Sequence, residues 1–238
     1  MITFENTEVM NFEGALRGMR NPLNSWDKSD SGICSVKYCD EKCPYRFDHR
    51  PGCVRFNPDD FIIGENDLAL AQKLIKAGSD HRKFLRQIFV SVDITAPLYW
   101  WKEFDTYKVG TVANSCSTMH TIHSKPIELS DFSFDDMTID FETGDDPLEF
   151  EFFYSRIIED CEILRRRYVE TKEKKYWRAL IQLLPESFNQ KRTVTLNYET
   201  LRNIYASRRN HKLDEWSVGF MEWIDSLPYA EELIKYGE

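Results

Sequence analysis

A long apolar run is missing from this chain. Its longest stretches, such as residues 96–101, fall far short of the roughly 20 apolar residues of a membrane-spanning helix, so no membrane partner is expected. The N-terminus, MITFENTEVMNFEGALRGM, also lacks a basic stretch followed by an apolar one, which argues against a secretory signal. Without such a signal, the six cysteines are expected as thiols or metal ligands in a reducing compartment, and the cytoplasm is the expected location. An excess of positive charge is absent too: 31 Lys and Arg stand against 40 Asp and Glu, a net charge of −9. Non-specific binding of DNA or RNA needs clustered cations, so nucleic acid is not expected as the main partner. Small anions stay compatible, because a few cations can focus a field in a cleft. Internal repeats and low-complexity tracts are also missing. What is present is 42% hydrophobic and 14% aromatic residues, enough to bury a core and to exclude global disorder. At 238 residues, a single domain over 1–238 with a Cys-containing insertion at about 24–62 is expected.

Periodicity supplies the elements. Phe12, Leu16 and Met19 mark a helix over residues 11–20, with Arg17 and Arg20 beside that stripe and Asn21-Pro22 ending it. Residues 24–60 lose all pattern and read as a long loop. Asn66 is expected to cap a helix over 67–77, and Ile88, Val90, Val92 and Ile94 alternate in a strand over 87–95. A Trp- and Tyr-rich helix is expected over 98–107, then a loop over 108–120 and an acidic surface stretch over 124–147. Helices follow at 148–171 and 172–184, a short strand at 194–196, and helices at 198–207, 212–226 and 229–236. One strand alone leaves its backbone groups unpaired, so a small sheet or pairing across subunits must complete it. The fold class is α+β.

Three segments gather polar chemistry. The first is Asp80-His81-Arg82-Lys83-Phe84-Leu85-Arg86; the second runs from Lys102 to His120; the third is Leu201-Arg202-Asn203 followed by Arg208, Arg209, His211 and Glu215. Arg82, Arg86, Lys102, Lys108, Arg202, Arg208 and Arg209 are the cations a phosphorylated ligand would need, since charge-assisted bonds to phosphate are about twice as strong as neutral ones. Taken singly, each is equally a solvated surface cation.

The order of these segments resembles the flavin-dependent thymidylate synthases. Their signature runs APxxxARQWxRHRxxSxNxxSxRY, and this chain reads APLYWWKEFDTYKVGTVANSCSTMH from Ala96 to His120. Lys102 falls on the Arg of RQW, Phe104 on its Trp, Lys108 on the last Arg of RHR and Thr111 on the first Ser. After a one-residue insertion, Asn114 falls on the Asn and Ser117 on the second Ser. His81 and Phe84 match the family's HxSPFEH element. Leu201-Arg202-Asn203-Ile204 resembles NLRxL, Arg208 and then Arg209 are nearest its second Arg, and His211 and Glu215 match HAQxEIR. The chain departs where RHR has become Thr106-Tyr107-Lys108 and where Arg-Tyr has become Met119-His120. Lys108 keeps the charge but loses the bidentate fork of Arg.

The resemblance implies a flavin-dependent thymidylate synthase-like fold, a small sheet packed with long helices, in a homotetramer. It implies FAD as cofactor, a pyrimidine deoxynucleotide as partner, and reductive methylation (or a related C5 modification) of deoxyuridylate with methylenetetrahydrofolate and NADPH. Ser117 and Arg208 are then the catalytic candidates, with Arg202, Arg208, Arg209 and Ser117 on the substrate. His81, Arg82, Lys102, Lys108, Asn114, His211 and Glu215 are placed on the cofactor. The departures leave open a catalytically silent protein that keeps the fold and binds a nucleotide or a partner. Ser117 is equally read as a loop hydroxyl capping a helix.

Two features lie outside the resemblance. Cys34, Cys39, Cys43 and Cys53 cluster in the early insertion, where zinc, free thiols and a redox or cluster role all stay open. Their spacing lacks a Cys-x2-Cys pair, and no metal ligand is assigned. This would also admit a zinc-containing interaction module. Cys116 and Cys161 read as a loop thiol and a core residue. Trp100, Trp101 and Phe104 stack either on a ligand or, as aromatics at helical spacing more often do, in the core.

Overall fold

A computed structural model describes residues 2–34, 60–135 and 147–238, with side chains left aside at 147–151 and 153. Four strands, β1 (Thr3–Met10), β4 (Phe89–Pro97), β5 (Val112–Ser115) and β6 (Asn189–Asn197), form one sheet in the order β1-β4-β6-β5. Two short strands, β2 (Gly32–Ile33) and β3 (Phe61–Ile62), pair antiparallel, Gly32 opposite Ile62. The helices are α1 (Phe12–Arg20), α2 (Glu65–Lys76), α3 (Leu98–Phe104), α4 (Thr118–Thr121), α5 (Pro147–Thr171), α6 (Lys174–Leu183), α7 (Tyr198–Arg208) and α8 (Met221–Asp225). No described helix is long and apolar enough to cross a membrane.

The chain divides into two compact units, each taking part of the sheet strands. One comprises residues 1–6, 92–108 and 113–194; the other comprises 7–91, 109–112 and 195–238. In the first, α5 and α6 pack as a hairpin around Ile122, Ile127, Phe132, Ile158, Cys161 and Leu180. Burial pushes the Cys161 thiol up to about 11, as befits a core residue. Trp100, Trp101 and Phe104 are buried and stack on one another, ring centroids 4.9–5.3 Å apart, so they are core rather than a ligand platform. In the second unit, α1 and α7 pack on a 3-10 turn over Lys83–Gln87.

That second unit is pinned by a buried charge. Asp67 is fully buried and accepts from Arg20 Nε at 2.5 Å, Ser29 Oγ at 2.7 Å, Ser31 Oγ at 2.5 Å, and the amides of Asp30 and Ser31. Burial alone would raise its pKa; the bonds from Ser31, Ser29 and Arg20 outweigh that and hold the carboxyl below its ordinary value.

Several expected boundaries move. The cap of α2 is Gly64, not Asn66, because Asp30 reaches in and accepts the amides of Asn66 and Asp67 at 2.9 and 3.1 Å. A side chain at Gly64 would meet the Asp30 carboxyl at 2.3 Å, so the close approach requires glycine. The strand expected over 87–95 spans Phe89–Pro97, and α3 stops at Phe104 rather than 107. The short strand at 194–196 grows to β6. β1 was not foreseen because all but two of its residues are exposed and polar positions interrupt any alternation. β5 lies within the expected loop over 108–120 and is exposed at every position. The helix expected over 212–226 contains a π-helical run, Glu215–Phe220, ahead of α8, and that over 229–236 is π-helical at Ala230–Ile234.

Candidate functional site

In the first unit, Lys102 stands exposed near the end of α3 and pairs with Glu186. Lys108 is exposed after α3, and Asn114 is exposed on β5. Ser117 caps α4: its hydroxyl oxygen accepts from the amide of His120 at 3.3 Å. The turn before that helix is held by Gln190, whose amide donates to Cys116 O and Thr118 Oγ1, both at 3.0 Å. Arg192 escaped the sequence reading. It lies 4.1 Å over Trp101 and donates to Asp105 at 2.7 Å.

In the second unit, His81 is exposed, whereas Arg82 donates to both carboxylate oxygens of Glu199 at 3.2 and 3.0 Å. α7 begins at Asn197, whose side chain accepts from the amide of Thr200. The loop at 109–111 lies on that helix start. Gly110 has φ +75, and a Cβ there would meet Asn197 Nδ2 at 2.6 Å. Arg202, on the same helix, is turned inward. Its Nη1 donates to Ile234 O at 2.9 Å and Tyr236 O at 2.7 Å, and its Nη2 meets Glu238 at 2.6 Å. Burial pulls this guanidinium below the usual arginine range, and Glu238 offsets the effect in part. Its Nε is buried with no hydrogen-bond partner, as is Thr111 Oγ1.

Arg208, His211 and Trp216 converge. The Arg208 guanidinium lies 5.1 Å over the Trp216 ring, and the His211 ring meets the same indole edge-on at 6.4 Å. His211 Nδ1 accepts from the amide of Leu213 at 3.1 Å, which leaves Nε2 to carry the proton of the neutral ring. Arg209 stacks 5.5 Å over Tyr205, and Glu215 is half-buried at the head of the π-helical run. A cavity of about 670 Å³, also in this unit, is walled by Phe12, Phe61 and Tyr229, with Glu13, Arg17 and Asp60 as its charged groups. None of the foreseen site residues lines it. Of the cysteine cluster, Cys34 is buried; Cys39, Cys43 and Cys53 lie outside the described residues.

Comparison with solved structures decides the architecture. A thymidylate synthase X (ThyX) from Helicobacter pylori, with FAD and dUMP, superposes over 100% of both chains with a TM-score of 0.61 at 15% identity. A second structure, of flavin-dependent thymidylate synthase ThyX from the same organism complexed with FAD and dUMP, gives 0.60 at 14% identity, covering 97% of this chain and 98% of that one. The fold is ThyX-like. No protein-family model matches the sequence, and no curated protein does. An α+β architecture with a small sheet is thereby shown, and the expectation from the ordered motifs holds at the level of the fold.

What sequence reasoning missed within this ThyX-like fold is the opposing charge. Glu186, Glu199 and Glu238 answer Lys102, Arg82 and Arg202 from 84, 117 and 36 positions away. Acidic residues at such separations leave no local pattern. The inward turn of Arg202 did leave one: Tyr198, Leu201, Arg202 and Tyr205 sit at i, i+3, i+4 and i+7, a single helix stripe.

Proposed function

We propose that this chain is a flavin- and nucleotide-binding enzyme of the ThyX type, working as a single domain in a homotetramer. It reductively methylates, or otherwise modifies at C5, a pyrimidine deoxynucleotide, with FAD as cofactor and methylenetetrahydrofolate and NADPH as co-substrates. The observation that carries the reading is the whole-chain fold match to structures holding FAD and dUMP. The residues present fit such ligands in part. Thr111 Oγ1 and Arg202 Nε, both at positions of the resembling motifs, are buried without a protein partner, as donors awaiting an acceptor would be.

On this reading His81, Lys108 and Asn114, all exposed, take the flavin side, together with His211 and Glu215. Arg82 and Lys102 join them only by sharing with Glu199 and Glu186. Bound flavin would supply the hydride. Arg208 and Arg209 hold the nucleotide phosphate, and Arg202 contributes once Glu238 yields. The Ser117 oxygen already accepts an amide, so its O–H is left to donate to a uracil carbonyl or a phosphate. The protein's part is orientation and electrostatic stabilisation.

A second reading has its own support. Arg82, Lys102 and Arg202 are each answered by a carboxylate of this chain, as suits a catalytically silent protein that keeps the fold and binds a nucleotide or a partner. Tritium release from C5-labelled deoxyuridylate, with FAD, methylenetetrahydrofolate and NADPH supplied, separates the two. The enzyme releases label, and Arg208→Ala lowers kcat/KM by roughly tenfold or more, the worth of a charged hydrogen bond. No release from folded protein that still binds deoxyuridylate selects the silent reading.

A further inference from the structure

The hairpin of α5 and α6 turns through Lys172 and Glu173, with Lys172 at φ 59. Over residues 165–178 the hairpin carries seven Lys and Arg against Glu170 and Glu173, in a chain whose net charge is −9. Arg166, Arg167, Lys172, Lys174, Lys175 and Arg178 are all exposed. At 1.5 Å of rise per residue, each lies within about 10 Å of the turn along its helix. Arg166 and Arg167 reach Glu162 and Glu170 only at 3.7 Å, and Lys175 meets Glu173 at 2.7 Å; exposed pairs of this kind contribute little. Lys172, Lys174 and Arg178 have no carboxylate partner among the described residues.

Helix stability does not ask for this arrangement. In the first turn of α6, Lys174 opposes the helix dipole without a carboxylate of its own, whereas Lys175 is offset by the N-cap Glu173, with which it pairs. Lys174 and Arg178 then repeat the same charge one turn apart, which is also unfavourable. Cations kept where they cost stability are suited to an anionic partner. The surface is poor in wedges for a bilayer: of the large apolar residues over 165–178, Val169 is exposed, while Trp177 donates its indole N–H to Met119 O. Arg165 is turned to Glu162 and the His123 carbonyl, but three of the six exposed cations, Arg166, Arg167 and Arg178, are arginines, whose planar fork matches phosphate oxygens.

We propose that the tip of this hairpin is a docking surface for the phosphate backbone of a nucleic acid, secondary to the nucleotide site and independent of it. The acidity of the rest of the chain confines the contact to the tip. Fluorescence anisotropy of a labelled 20-base-pair DNA duplex tests it on the full chain. With about four phosphates neutralised, affinity falls on the order of a hundredfold between 50 and 200 mM salt. The combined variant Arg166→Glu, Lys172→Glu, Lys174→Glu and Arg178→Glu loses at least about tenfold in affinity at 50 mM salt, while Lys28→Glu with Lys73→Glu, exposed cations elsewhere, keeps it. If circular dichroism shows the reversal variant unfolded, the same four positions as Gln carry the test. Absence of binding at 50 mM salt, equal binding by the hairpin variant, or binding to phosphatidylserine vesicles with none to DNA would overturn the proposal.

Discussion

Two arginines are buried in the same unit of this protein, and they are held differently. Arg20 faces Asp67, a carboxylate with no exposure whose oxygens also take Ser29, Ser31 and two backbone amides. Arg202 faces two carbonyls and Glu238, whose side chain is 24% exposed, and its Nε has no partner. A buried pair closed on all sides is a stability device: removing one partner strands a charge away from water. A buried cation with a spare donor and a half-wet counter-ion can exchange that counter-ion for another anion. The contrast separates a structural arginine from a candidate binding one where sequence shows only two arginines on helices.

Substitutions sharpen or break that contrast, the largest effect first. Asp67→Ala strands Arg20 and frees five donors, and should lower unfolding free energy by about 3–5 kcal/mol in urea titrations. The same group sets a pH dependence. Because the folded Asp67 carboxyl is held below its unfolded value, its stabilisation is complete above the unfolded value and is lost as pH falls through the folded one. Acid titration of the Asp67→Ala variant should therefore show a shallower loss of stability than the wild type. Arg82→Met, which leaves Glu199 nearly buried and unpaired, should cost about 1–3 kcal/mol. Glu238→Gln should cost about 1 kcal/mol, because water already reaches that side chain. A cost for Glu238→Gln equal to that of Asp67→Ala would break the comparison and make Arg202 structural. Lys102→Ala, exposed at both partners, should change stability by less than about 1 kcal/mol in thermal melts.

How far the sequence foretold these features follows from their range. The stripe of Phe12, Leu16 and Met19 gives α1, and alternation through Val90, Val92 and Ile94 gives β4, because each element buries a face made of near neighbours. β1 and β5 bury almost nothing and so carry no alternation; they exist because β4 and β6 offer them hydrogen bonds. The cap of α2 comes from Asp30 and the partner of Arg82 from Glu199, both set by the fold rather than by neighbouring residues. Among the site residues, Arg208 and His211 meet Trp216 across the turn between α7 and the π-helical run; sequence names the segment but not this convergence. The inward aim of Arg202 was written in the stripe it shares with Tyr198 and Leu201, and the family resemblance, which reads motif order alone, did not use it.

The most direct test of the account is a titration of the purified protein with FAD, followed in the visible bands, and then with deoxyuridylate. Saturable uptake of about one flavin per chain, with band shifts when deoxyuridylate is added and weakened uptake in Lys108→Ala, is the predicted result. Folded protein that stays colourless at excess FAD and leaves the deoxyuridylate titration flat would contradict it.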